Sequence, residues 1–144
     1  MKFLNDKAAL NLCNVVLFFA GLMDIVRGYT HTFRVRYATA NLAKAEVTTD
    51  NLVLMSAFGI SNFLSAFLYF LIIWKAKKLA PLVLVIIPIS YLVGGLGMQY
   101  SDVILDPDKF KGQYIMPVYL SICMIVALLY FVVALIDKKR INTF

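Results

Sequence analysis

The stretch LVLMSAFGISNFLSAFLYFLIIW, residues 52–74, holds no Asp, Glu, Lys or Arg from end to end. Nor does LAPLVLVIIPISYLVGGLGMQYS, residues 79–101, or GQYIMPVYLSICMIVALLYFVVALI, residues 112–136. A helix rises ~1.5 Å per residue, so ~20 residues cross the ~30 Å hydrocarbon core of a bilayer. All three runs reach that length. A fourth, residues 8–23, is shorter and continues past Asp24 to about Phe33. It spans if Asp24 and Arg27 sit near the far interface. Segments such as FLYFLIIW and LVLVIIPI are apolar at every position, whereas barrel strands alternate apolar and polar. Such segments satisfy their own backbone in lipid as helices.

Composition agrees. The chain is 62% hydrophobic and 15% charged, with a mean hydropathy of +0.82, which excludes an ordinary soluble domain. The expected fold is an all-α integral membrane protein, a single domain over residues 1–144. Four transmembrane helices, at about 7–33, 51–74, 79–100 and 113–137, form an up-down bundle because short connections make neighbours antiparallel. The basic start at Lys2 and Lys7 is followed by no small-x-small cleavage pattern, so the first run reads as a retained helix.

Charge gives an orientation. Lys2, Lys7, Lys75, Lys77, Lys78, Lys138, Lys139 and Arg140 fall on one side, opposed only by Asp6 and Asp137. The other side carries Arg27, Arg34, Arg36, Lys44, Lys109 and Lys111 against Asp24, Glu46, Asp50, Asp102, Asp106 and Asp108. The richer Lys and Arg side, with its tight WKAKK turn, is expected to be cytoplasmic, with both termini there and the plasma membrane as location. The basic balance is a lysine fringe beside helix ends, suited to anionic headgroups, and points to membrane lipid rather than nucleic acid as partner.

The longest internal connection, RVRYATANLAKAEVTTDN, is expected to fold back as a short interfacial helix around residues 38–45. Thr48, Thr49 and Asp50 are candidate N-caps for the second helix. Pro81 suits a first helical turn, and Asp106-Pro107 and Gly112 suit a cap and a break before the last helix. Pro88 and Pro117 should kink helices three and four. Ala57, Ser61 and Ser65, and again Ser90 and Gly94, recur at i+4, the small-residue spacing that lets helices approach in lipid.

Few residues can carry chemistry. Cys13 and Cys123 form no CxxC pair and are expected at different depths, which disfavours a disulfide or redox role. One histidine disfavours a metal centre or bis-histidine haem within one subunit, though a carboxylate and histidine of neighbouring subunits could meet, so no metal is expected and no cofactor is indicated. The best candidates lie in GLMDIVRGYTHTF, residues 21–33. Asp24, Arg27 and His31 are spaced i, i+3 and i+7, which places them on one helix face. Two readings stay open: a polar cuff where the helix meets water, or a polar mouth of the bundle joined by Tyr29, Arg34 and Arg36. Arginines beside an apolar cavity suit a carboxylate, phosphate or quinone oxygen, and His31 could move a proton. Asn62, an amide deep in helix two, is a further ligand candidate. It is expected to face another helix and hydrogen-bond there. Tyr69, Tyr91, Gln99 and Tyr100 suit an interfacial aromatic belt.

The order LFFAGLMDIVRG, then AFGISNFLSAFLYFLIIWKAKKLAPLVLVIIPISYLVGG, resembles the DoxX-like group of small four-helix membrane proteins over the first two-thirds of the chain. The resemblance implies the four-helix fold and a redox or quinone role. Asn62 stands where that group often has an acidic residue, and Lys75 to Lys78 replace its usual Thr-Arg turn. RVRYATAN is similar to glutathione-using four-helix enzymes, but the acidic partner is missing.

The expected function is binding of a lipid, quinone or other amphipathic molecule at an arginine-rich outer mouth, or service as an accessory subunit. A homo-oligomer or larger membrane complex is compatible with it. The rivals are a membrane enzyme using His31 on a lipid-like substrate, and a homo-oligomeric transporter. The first needs a second proton-transfer group such as Asp102 or Asp106. The second needs a water path past Asn62.

Overall fold

The computed structural model of the protein describes residues 5–102 and 115–141, the last four through their backbone alone. Helix α1 spans Asp6–Phe33 and runs into a short α2, Val35–Tyr37, and a π-helical turn, Ala38–Leu42. Helix α3 spans Thr49–Lys75. A 3₁₀ turn, Lys77–Leu79, leads into α4, Ala80–Tyr100, and α5 covers Ile115–Ile141. No strand occurs among the described residues. Four of the helices, α1, α3, α4 with its preceding turn, and α5, are long and apolar enough to cross a membrane.

The ends are set by local chemistry. Asn5 caps α1, its Oδ1 accepting from the Ala8 N–H at 2.8 Å, and Thr48 caps α3 by accepting from Asn51 N–H at 3.3 Å. Each side chain satisfies a donor that the first helical turn leaves without a partner. Pro81 sits in the first turn of α4, where its missing N–H costs nothing, and Pro88 lies inside the helix. Asp106, Pro107 and Gly112, with Lys109 and Lys111, lie outside the described residues.

Packing is uneven along the bundle. At one end, Cys13 and Leu17 of α1, Ala80, Leu84 and Ile87 of α4, and Cys123 and Ala127 of α5 make one buried cluster. The Cys13 thiol donates to the Val126 carbonyl at 3.7 Å, and the Asp6 N–H donates to the Asp137 carboxylate at 3.1 Å. Both cysteines are free and buried in this cluster, with Cys123 about a turn before Val126 on α5, the residue that Cys13 meets. Beyond Ile87, α4 buries none of its residues. Large side chains such as Phe19, Val26, Ile60 and Leu92 point outward, more than half exposed. So much outward apolar surface is incompatible with water and matches hydrocarbon.

The most extensive helix contact is between α1 and α3. Gly21 lies against Phe70, Gly28 against Phe63 and the Gly59 carbonyl, and Gly59 against Thr32. Positions rising along α1 thus meet positions falling along α3. A Cβ on Gly59 would also come within 3.0 Å of the His31 carbonyl carbon and the Thr32 nitrogen, so only glycine permits this approach.

The small-residue stripes read from the sequence are not the ones used. Ala57 and Ser61 are exposed, and Ser61 and Ser65 donate to the carbonyls of Ala57 and Ser61 at 3.1 and 3.0 Å. The buried face of α3 is instead Gly59, Asn62 and Ala66, turned from the expected stripe. Nothing lies within 4 Å of a Cβ built on Gly94, so the Ser90–Gly94 spacing joins no helices here. Spacing at i+4 names a stripe, and only the neighbouring helix decides which stripe is used.

The connection after α1 carries the expected short helix, placed nearer its start. The helical piece begins at Val35, directly after α1, and closes with Ala43 N–H donating to the Ala38 carbonyl at 3.0 Å, an i+5 bond. Ala38 and Thr39 are fully buried, so this segment turns two small side chains inward over the bundle and leaves Arg36, Tyr37, Ala40 and Asn41 exposed. Small side chains at both positions allow it. Lys44, with φ of 48°, then reverses the chain in the left-handed region.

Candidate functional site

The inward turn roofs a cavity of about 580 Å³. Its back wall is α1, through Met23, Asp24, Arg27 and His31; Leu54, Met55 and Phe58 of α3 flank one side, and Ile115, Met116 and Tyr119 of α5 the other. Thr39 and Leu42 come from above. The volume falls within the ~300–1,000 Å³ usual for small-molecule sites, and the mix of apolar wall with few polar groups is also usual.

The polar groups of α1 gather as the i, i+3, i+7 spacing requires. The Asp24 carboxylate lies 3.6 Å from the Arg27 guanidinium, and Asp24 is 7% exposed overall. A carboxylate so placed needs a compensating charge, and Arg27 on the next turn is held to it by the helix. Arg27 also donates to the phenol oxygen of Tyr91 on α4, at 3.4 and 3.5 Å from its two terminal nitrogens. Its guanidinium carbon stands 5.4 Å from the centre of the Phe58 ring on α3, within cation–π range. One side chain therefore ties α1 to α3 and α4.

His31 completes the wall. Its Nδ1 lies 2.6 Å from the Arg27 carbonyl oxygen, and its ring meets Phe58 edge-on at 5.1 Å between centroids. A carbonyl oxygen only accepts, so Nδ1 bears the hydrogen and donates.

Tyrosines that the sequence assigns to an interfacial belt belong to this polar centre. Tyr91 of α4 meets Arg27, Tyr119 of α5 lines the cavity, and Tyr69 of α3 lies close enough to Asp24 and Tyr91 for electrostatic influence. The four long helices thus each contribute a polar side chain around Asp24 and Arg27. No periodicity signals this, because each tyrosine is a lone polar residue on its own apolar helix.

Arg34 and Arg36 are not brought to the cavity. Both are exposed, and Arg34 stacks its guanidinium 4.8 Å over the Tyr37 ring. They sit where α1 ends and α2 begins, so the helix face they were assigned to no longer exists there. Tyr29 is 53% exposed and packs on Phe33 instead. Asn62 is buried as expected, 6% exposed, but it lies outside the cavity wall and its amide nitrogen has no hydrogen-bond partner. The expected hydrogen bond from that nitrogen is absent. Asp102 does not line the cavity.

Sequence reasoning missed Thr39, Met55, Phe58 and Tyr119. Phe58 alone had a signal, lying one residue before the glycine of close approach. Among the described residues, no three of His, Cys, Asp and Glu gather as a metal site would require. Compared with models of protein families, with curated proteins and with solved structures, the chain matches none.

Proposed function

We propose that this chain is a multi-pass plasma-membrane protein that binds an amphipathic small molecule, of the lipid or quinone kind, in the cavity between α3 and α5. The observation that carries the reading is the pole of Asp24, Arg27 and His31 set into otherwise apolar walls. An apolar tail fits against Leu54, Met55 and Ile115, while a polar head meets Arg27 and His31. Hydrogen bonds made in so dry a place strengthen selectivity, because an unmatched head leaves buried groups without partners.

The bundle is taken as up-down, with both termini cytoplasmic and the cavity in the outer half. The opposed running order of the α1 and α3 contacts and the lysine-rich 75–78 turn support this arrangement. DoxX-like affinity adds only the expectation of a four-helix bundle, and a role as an accessory subunit is compatible with a ligand-binding cavity.

The enzyme reading is less well supported, because among the described residues Asp24 is the one carboxylate lining the cavity and Arg27 already engages it, while Asp106 lies outside the described residues. The transporter reading needs a path past Asn62, which lies off the cavity wall.

Native mass spectrometry of the protein purified in mild detergent tests the proposal. A bound amphipath should accompany the unaltered protein and be lost from Met55→Trp, which fills the cavity, while thermal stability is kept. Retention of the same species by a folded Met55→Trp protein sinks the proposal.

A further inference from the structure

Several donors around the cavity are engaged within the protein, and acceptors are left over beside the donors that remain. His31 donates from Nδ1 to the Arg27 carbonyl at 2.6 Å, so on the neutral ring Nε2 is an acceptor. Thr39 donates its hydroxyl proton to the Val35 carbonyl at 2.9 Å, which leaves only lone pairs on Oγ1. Asn51, at the rim, donates one amide N–H to the Glu46 carbonyl at 2.8 Å and keeps a second N–H to donate and Oδ1 to accept. Tyr119, which lines the α5 wall, and Arg27, divided between Asp24 and Tyr91, remain as donors.

The charges close on themselves as well. Asp24 and Arg27 stand 3.6 Å apart on one wall, so neither sign is in excess there. Arg34 and Arg36, which would have made the mouth cationic, lie outside it. An anionic head would meet the Asp24 carboxylate and a row of lone pairs. A cationic head would meet the Arg27 guanidinium. A hydroxyl suits both kinds of group, since it donates to His31 Nε2 or Thr39 Oγ1 and accepts from Arg27.

Resting on the reading of the cavity as an amphipath site, we infer that its guest is a neutral lipid with free hydroxyl groups on its head, of the monoacylglycerol type. Acceptors on the wall select donors on the guest, and the closed ion pair selects against net charge. The apolar walls of α3 and α5 take a single acyl chain.

Three probes of equal chain length separate the alternatives: monolauroylglycerol, laurate and dodecylamine, each titrated into the delipidated full-length protein. Binding is followed by native mass spectrometry and by the rise in unfolding temperature. Monolauroylglycerol should bind at least about tenfold more tightly than either charged probe. His31→Phe should weaken monolauroylglycerol about tenfold and leave laurate unchanged, while His31→Gln, which keeps an acceptor, should recover part of the loss. If His31→Phe does not fold, the ranking of the three probes on the unaltered protein still decides. Tightest binding by laurate or dodecylamine overturns the hydroxyl-head inference and leaves the cavity reading intact. Equal binding by all three also overturns it. Absence of binding by any probe removes both.

Discussion

Arg27 on α1 and Tyr91 on α4 meet across the bundle, with 3.4 Å between Nη1 and the phenol oxygen. The bond is long and shared between two nitrogens, so its own strength is modest. Its value is positional. It holds the guanidinium beside Asp24 while Phe58 closes over it.

Arg27→Ala therefore removes an ion-pair partner, a cation–π contact and a link between helices at once. A fully buried pair loses ~3–5 kcal/mol when one partner goes, and Arg27 is partly exposed, so a loss of roughly 2 kcal/mol is expected. Arg36→Ala, at an exposed position, should change unfolding temperature and lipid co-purification little. Thermal unfolding of the two variants in the same detergent checks this. Equal effects reduce the Asp24–Arg27 pair to a polar cuff at the membrane surface.

Gly59→Ala should be costly. The new methyl meets the Thr32 side chain and the α1 backbone, neither of which can withdraw without parting the helices. A destabilisation of about 1–3 kcal/mol is expected from such overpacking. Gly94→Ala, with open space around it, should be neutral or stabilising by up to about 1 kcal/mol through helix propensity. Equal stability of the two variants would show that α1 and α3 do not approach as described.

Asn62→Leu should be neutral or stabilising. The Asn62 amide nitrogen is buried without a partner, a state that costs about 1–3 kcal/mol, and leucine is of similar size. Thermal unfolding decides, and a loss of more than about 1 kcal/mol means that the amide holds a water or a ligand.

Orientation is open to labelling in intact cells. A cysteine placed at Asp137, in a background without Cys13 and Cys123, should resist an impermeant reagent, whereas one at Lys109 should react. The charge distribution of the two sides motivates this. The opposite pattern inverts the molecule.

The helices were legible because length and lack of charge are enough in a membrane setting. Residues 52–74 and 79–101 could be little else, and α3 and α4 follow them closely. The face shared by Asp24, Arg27 and His31 was legible too, since it depends only on helical periodicity. What lies opposite that face was not. Tyr91, Phe58 and Tyr119 come from other helices, and rotation about each helix axis is set by packing that no single run encodes. The same ignorance of rotation misplaced the stripe of Ala57, Ser61 and Ser65. A short helix near residues 38–45 was legible, but its start at Val35 and its i+5 bond respond to what lies beneath the chain, and Thr39 is polar enough to read as surface.

The glycine contact has a mechanical consequence. With the Gly59 backbone set against Thr32, and Phe63 and Phe70 seated on Gly28 and Gly21, α1 and α3 have no slack to slide or part. Interiors packed this way shift as a block. On the opposite side of the cavity, α5 presents Ile115 and Met116, and its firm anchorage to α1 and α4 lies further along, at Cys123 and Ala127. The two walls of the cavity are thus held unequally, one locked by glycine contacts and the other fixed at the cysteine cluster. On the proposed function, a guest would enter sideways from the bilayer on the α5 side.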